Sequence, residues 1–226
     1  MKVLLWDIDG TLLNFGMSEK YAIRKCFEIF GVGECTDEML ARYSKINRRY
    51  WERLESGELT RREVLVGRFR EFFETEGLAF DQIEAFNDEY QIRLGDKAFF
   101  NDDGYEVVKS LKGQVKQYAV TNGTTIAQLR KLKLSGLDEL LDDVFISEQV
   151  GADKPNREFF DAVWARIGVC EKEETAIIGD SLTSDMRGGN QAGIQCIWYN
   201  PSGEPNNTDV HVDREIQDLR QILEMI

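Results

Sequence analysis

The sequence predicts an α/β fold: a mostly parallel sheet covered by helices on both faces, with a helical bundle inserted after the first strand. Three observations lead there. A four-residue apolar run, VLLW at 3–6, ends in two aspartates. From about Ser18 to Leu94 the spacing is helical and carries almost no strand signal. After Gly95, short apolar runs alternate with amphipathic segments. Strands separated by helices pair in parallel through crossovers that cover both faces of a sheet.

Residues 3–6 read as a short buried strand. Ser18 is expected to cap a helix that runs to about Phe30 and stops at Gly31 and Gly33. Thr36 or Asp37 opens the next, with Tyr43, Ile46, Tyr50 and Leu54 on one stripe before Gly57. Thr60 precedes a third, carrying Val64, Leu65, Phe69 and Phe72 and ended by Gly77. A fourth runs from about Asp81 to Leu94 and is stopped by Gly95. Helices of similar length joined by short glycine-marked links pack as a bundle. Beyond it the pattern predicts a helix over 103–112, strand QYAV, a helix over 125–133, strand VFIS and a helix over 156–167. Strand TAIIG, a helix over 183–191 and strand QCIWY follow; VHV at 210–212 and a helix over 214–225 complete the chain. The expected division is a catalytic core of 1–14 and 96–226 and a helical cap of 15–95.

Composition narrows the function classes. With 28 basic against 41 acidic residues the net charge is −13, which argues against nucleic-acid polymers and anionic membranes as partners. The opening MKVLLW is too short for a signal-peptide core, and no later run approaches a membrane span, so a cytoplasmic location is expected. Cys26, Cys35, Cys170 and Cys196 show no CxxC spacing and are expected as reduced thiols. The single histidine, His211, is expected to be structural or exposed. Any chemistry must therefore run on carboxylates, lysine and hydroxyls.

In a parallel sheet the carboxyl ends of the strands share one edge, where ligands bind. Four polar motifs occupy such positions: WDIDGT at 6–11, TNGT at 121–124, DKPN at 153–156 and GDSLTSD at 179–185. Each alone reads as a turn or a helix cap. Together they assemble phosphoryl transfer. Aspartates at i and i+2 of an extended chain point to the same side and repel unless a cation sits between them. Asp7, Asp9 and Asp180 supply hard oxygen ligands that suit Mg²⁺. Asp7 can attack phosphorus as a nucleophile, and Asp9 is spaced to act as acid and base. The Thr121 hydroxyl and the amides of Asn122 and Gly123 can hold phosphate oxygens, and Lys154 adds positive charge.

This ordered set resembles the haloacid dehalogenase-like hydrolase superfamily over residues 7–185. The resemblance implies a Rossmannoid core with an inserted helical cap, Asp7 as nucleophile, and Asp9 as general acid/base that also meets Mg²⁺ through its backbone carbonyl. It implies Thr121 and Lys154 on the phosphoryl group, Asp180 as metal ligand, and Asp185 orienting metal waters from behind. Asp9 resembles the phosphatases; the dehalogenases lack that second aspartate and the metal. Gly10 stands where some members carry a third aspartate. The segment GDSLTSDMRGGNQAGIQCIWYNP looks like the branch of house-cleaning pyrimidine 5′-nucleotidases. The expected substrate is thus a nucleoside 5′-monophosphate. A sugar phosphate, hydrolysed or isomerised by the same chemistry, is the alternative, and a non-catalytic phosphoacceptor module is the reading from another class.

The cap is harder to read. Residues 41–70 hold nine Lys/Arg against four Glu, with Arg42, Lys45, Arg49 and Arg53 on one face. That face is either an anion-attracting roof or a solvated surface. Tyr50 and Trp51 could stack on a base, although Tyr50 falls on the apolar stripe, and Phe15 is better placed to line the pocket.

Overall fold

The computed structural model describes residues 1–168 and 172–226; Cys170 lies outside them. Six strands form one sheet: β1 (Val3–Trp6), β2 (Lys116–Thr121), β3 (Asp143–Ile146), β4 (Thr175–Gly179), β5 (Gln195–Tyr199) and β6 (Arg214–Ile216). Their order is β3-β2-β1-β4-β5-β6, and every neighbouring pair is parallel. Alternate residues of the central strands feed two cores. Leu4, Trp6, Ala176 and Ile178 face one side, and Val3, Leu5 and Ile177 face the other. Burial on both faces explains why these strands read as unbroken apolar runs.

Helices α1 (Phe15–Phe30), α2 (Asp37–Glu55), α3 (Arg61–Thr75) and α4 (Ile83–Leu94) lie between β1 and β2. The first starts earlier than Ser18: the Asn14 side chain caps it, accepting from the Met17 amide at 3.0 Å. Thr36 caps α2 by accepting from the Met39 amide, and Thr60 with Glu63 forms a capping box on α3. The four helices bury their own aromatic core, in which Phe27, Tyr43, Phe69, Phe72, Phe86 and Tyr90 interlock. Of its buried members, only Ala127 comes from outside the four helices.

The remaining helices are α5 (Gly104–Leu111), α6 (Thr125–Ser135), a short α7 (Ser147–Val150), α8 (Arg157–Ile167) and α9 (Arg187–Ala192). A π-helical turn at Leu182–Met186 precedes α9, inside GDSLTSD. Such turns concentrate at functional sites.

The C-terminal expectation fails. VHV is loop, the edge strand is Arg214–Ile216, and a 3₁₀ turn at Leu219–Glu224 follows where a helix over 214–225 was expected. Thr208 and Asn206 side chains occupy the Val210 backbone, so it cannot join the ladder. Ile216, Leu219 and Ile222 are all buried at spacings of three, which mimics a helical stripe across a strand and a 3₁₀ turn. Cys26, Cys35 and Cys196 are free thiols, and His211 is exposed, its ring beside Asp213. No helix is long and apolar enough to cross a membrane among the described residues.

Candidate active site

β1 sits at the centre of the sheet, with β2 on one side and β4 on the other. Trp6 is in register with Ala119 and Ile178, so Asp7, Thr121 and Asp180 emerge on one edge at the point where strand order reverses. Gly10 turns the chain over this edge with φ of +98°, and a Cβ there would lie 2.5 Å from the Asp180 carboxylate. A side chain at position 10 would displace that carboxylate, which is why glycine stands there. At Gly179 a Cβ would meet the Asp185 carboxylate at 2.2 Å. Both glycines make room for acids.

The acids converge. Oxygens of Asp7, Asp180 and Asp185 all lie within 4.8 Å of one another. Lys154, 1% exposed, donates to Asp7 Oδ1 at 2.8 Å, Asp185 Oδ1 at 2.6 Å and the Val120 carbonyl at 2.6 Å. The Thr11 hydroxyl donates to Asp7 Oδ2 at 3.0 Å and accepts from the Asp180 amide at 3.0 Å. Burial pushes the Asp7 carboxyl up to about 7, with Lys154 opposing the rise and Asp185 adding to it. Asp180 is also raised well above its ordinary value, by desolvation and by the charges of Asp7 and Asp185. Asp180 also opens on the cleft. Burial works against the Lys154 ammonium, but Asp185 and Asp7 outweigh it and hold it above its ordinary value. Three carboxylates against one ammonium leave an excess of negative charge. A hard divalent cation bound through oxygen would relieve it.

Asp9 is placed differently. Lys131 Nζ donates to both its oxygens, at 2.7 and 2.6 Å, and Gln128 Nε2 donates to Oδ2 at 2.8 Å. Its carboxylate is therefore outside the acidic cluster and held from α6. Thr121 is fully buried, and its hydroxyl has no hydrogen-bond partner. The Gly123 amide is engaged, donating to Ser147 Oγ at 3.1 Å. The Asn122 side chain clamps the Lys154 backbone on both sides, amide to carbonyl and amide to oxygen, each at 2.9 Å. Asn122 thus positions the lysine.

Above this floor lies a cavity of about 490 Å³ whose walls include Asp7, Asp9 and Asp180 below and Phe15, Glu19 and Trp51 above. That volume suits a small organic phosphate. Side-chain contacts tie the helices to the strand ends, among them Thr124, which donates to Gln91 of α4 at 2.8 Å. Arg61 donates to the Gly123 carbonyl at 2.8 Å and pairs with Ser147 and Asp153. Thr183 donates to Glu55 at 2.5 Å. Desolvation pushes the Glu55 carboxyl up to about 8, with the Thr183 bond opposing and Asp185 contributing. Arg42, Arg49 and Arg53 pair with Glu76, Glu71 and Glu58 on the surface and do not line the cavity; Arg48 does. Tyr50 packs against the bundle core.

Thr11, Glu55, Arg61, Gln128 and Lys131 were not singled out from sequence. No sequence signal set Lys131 or Arg61 apart from their basic neighbours.

Residues 1–193 match the family model of haloacid dehalogenase-like hydrolases. The chain belongs to this family. The HAD-hydrolase YfnB of Bacillus subtilis is 35% identical across all of this chain and 95% of that protein. Its crystal structure, described as bound to magnesium and revealing interdomain movement, superposes with a TM-score of 0.93 over 99% of this chain and 97% of that one, at 34% identity. Pyrimidine 5′-nucleotidase PynA of Streptococcus pneumoniae is 33% identical across all of this chain and 94% of its own. Pyrimidine 5′-nucleotidase YjjG of Escherichia coli is 25% identical over 87% of this chain and 85% of its own. Fold and family are those of a HAD-family phosphatase.

Proposed function

We propose that this enzyme hydrolyses nucleoside 5′-monophosphates, pyrimidine deoxynucleotides foremost, through a phosphorylated Asp7 and with Mg²⁺. The observation that carries the chemistry is Asp7 itself: a buried carboxylate bonded to Lys154, grouped with Asp180 and Asp185, and open to the cavity. Similarity to PynA and YjjG supports the substrate class. The magnesium described in YfnB supports the metal. In this reading residues 15–95 form a cap over a core of 1–14 and 96–226.

Asp7 and Asp180, with the Asp9 backbone carbonyl, would hold Mg²⁺, and Asp185 would orient its waters. When bound, the cation neutralises charge on the phosphoryl oxygens. The Asp7 carboxylate attacks phosphorus, the bond from phosphorus to the 5′ oxygen breaks, and Asp9 gives that oxygen its proton. A water then attacks the aspartyl-phosphate, passing its proton to Asp9, and Asp7 returns with release of inorganic phosphate. Lys154 holds the nucleophile and offsets charge. The unpartnered Thr121 hydroxyl and the Asn122 and Gly123 loop border the phosphoryl position, with Asn122 acting mainly through Lys154.

Phosphate release over nucleotides and sugar phosphates tests this. Pyrimidine nucleoside monophosphates should exceed hexose phosphates in kcat/KM with Mg²⁺, and chelator should remove the activity. Equal turnover of both classes would overturn the substrate reading, and full activity in chelator the metal reading.

A further inference from the structure

The roof of the cavity contains charge that the floor chemistry does not use. Glu19, Asn47 and Arg68 line it, and none is more than 3% exposed. Glu19 accepts from the Ser44 hydroxyl and, at 2.9 Å, from Asn47 Nδ2. Asn47 Oδ1 accepts from Arg68 Nη1 at 2.7 Å and from Trp51 Nε1 at 3.1 Å. These partners fix which way the Asn47 amide faces. It relays between an acid and a base that do not touch. Arg68 Nη2 donates to Asn87 at 3.2 Å, and Arg68 Nε has no partner at all. The Arg68 guanidinium lies over the Phe69 and Tyr90 rings, which cover Nε, and the residue lines the cavity with a second hydrogen on each of Nη1 and Nη2 beyond those two bonds. Phe15 and Trp51 supply flat walls to the same space.

Stripped to its chemistry, the cluster offers an acceptor, the Glu19 carboxylate, with spare donors on Arg68 and on Asn47 Nδ2. Its complement is a donor flanked by acceptors on a planar ring. That is an imide, C=O, N–H, C=O, as in uracil and thymine. Cytosine presents a ring-nitrogen acceptor at the central position and would set it against the carboxylate. A sugar ring lacks the flat faces that aromatic walls reward.

We propose that Glu19, with Asn47 and Arg68, reads the imide edge of the substrate's base and selects uracil or thymine over cytosine. This rests on the nucleotidase reading above and names the residues by which the cap would enforce it.

The experiment compares thymidine 5′-monophosphate, its N3-methyl derivative, deoxycytidine 5′-monophosphate and deoxyribose 5-phosphate on the unmodified enzyme. Loss of one hydrogen bond to a buried charged group should lower kcat/KM for the N3-methyl derivative on the order of 100-fold. The cytosine nucleotide should fall similarly. Glu19→Gln should bring the thymine-to-cytosine ratio to about one or below, because an amide can donate to the cytosine nitrogen. An unchanged ratio with both nucleotides falling together would make Glu19 structural and overturn the proposal. N3-methylation without effect on the unmodified enzyme would do so with no variant needed. Thymine and cytosine nucleotides turned over equally, both well above deoxyribose 5-phosphate, would remove the imide reader and leave the nucleotidase. All three equal would remove both.

Discussion

The strand-end floor and the helical roof solve opposite problems with the same residue types. On the floor, Asp7, Asp180 and Asp185 are brought within 4.8 Å of one another, and a single lysine is shared between two of them. Burial, with the neighbouring carboxylates adding to it, raises both Asp7 and Asp180, and the grouping leaves negative charge that a cation and a phosphoryl group can use. In the roof, Glu19 and Arg68 are kept apart by the Asn47 amide, and all three line the cavity. Crowded like charge suits chemistry on phosphorus; separated opposite charge suits recognition of a neutral group. The two regions should therefore fail in different kinetic ways.

The floor should fail hardest. Asp7→Asn should reduce kcat on the order of 10⁴-fold or more, as expected when a covalent nucleophile is removed. Asp9→Asn should cost about 10²- to 10⁴-fold through the leaving oxygen. Turnover of para-nitrophenyl phosphate, which departs easily without a proton, should suffer less from the second change than from the first. Equal losses would break the separation of nucleophile and acid.

The seam between the regions comes next. Arg61 reaches from α3 to the Gly123 carbonyl and to Asp153, the residue before Lys154. Arg61→Ala should lower kcat/KM about tenfold by loosening the roof over the phosphate loop. The same change leaving KM and kcat untouched would mean that the seam is only structural.

Glu55 gives the seam a pH signature. Its folded-state value is raised from 4.5 to about 8. The folded protein thus keeps a proton that the unfolded chain loses, and stability drains away as pH rises from about 4.5 to about 8. Glu55→Gln mimics the protonated form and still accepts from Thr183. In chelator, its Tm relative to the unmodified protein should climb through that window and level off above it. A gap that is constant with pH would contradict the shift.

The outer basic face of α2 should matter least. Arg49→Gln and Arg53→Gln remove solvent-exposed pairs with Glu71 and Glu58, worth about 0–1 kcal/mol each, and should leave nucleotide kcat/KM within about twofold.

The floor was legible in the sequence because each part is contiguous. DxDGT, TNGT and GDSLTSD each announce a strand end, Lys-Pro follows one after the short α7, and a parallel sheet brings such ends to one edge without further information. The roof was legible only as helices. Glu19, Asn47 and Arg68 come from three of them, and their meeting depends on crossing geometry that helical spacing does not encode. Thr11 and Lys131 escaped notice for a related reason: hydroxyls and lysines are common on turns and helices, and only burial marks these two. The C-terminal misreading shows the limit from the other side. Buried residues at 216, 219 and 222 satisfy a helical period while belonging to a strand and a 3₁₀ turn.

The central claim is that Asp7 carries the phosphoryl group during turnover, and acid quenching tests it most directly. Enzyme in excess over thymidine 5′-monophosphate, quenched within a single turnover and digested, should yield the peptide containing Asp7 heavier by one phosphoryl group. The adduct should be absent from Asp7→Asn and should accumulate when the second step is slowed. Product formed with no phosphorylated peptide at any quench time, or with the phosphoryl group on another residue, would contradict the account.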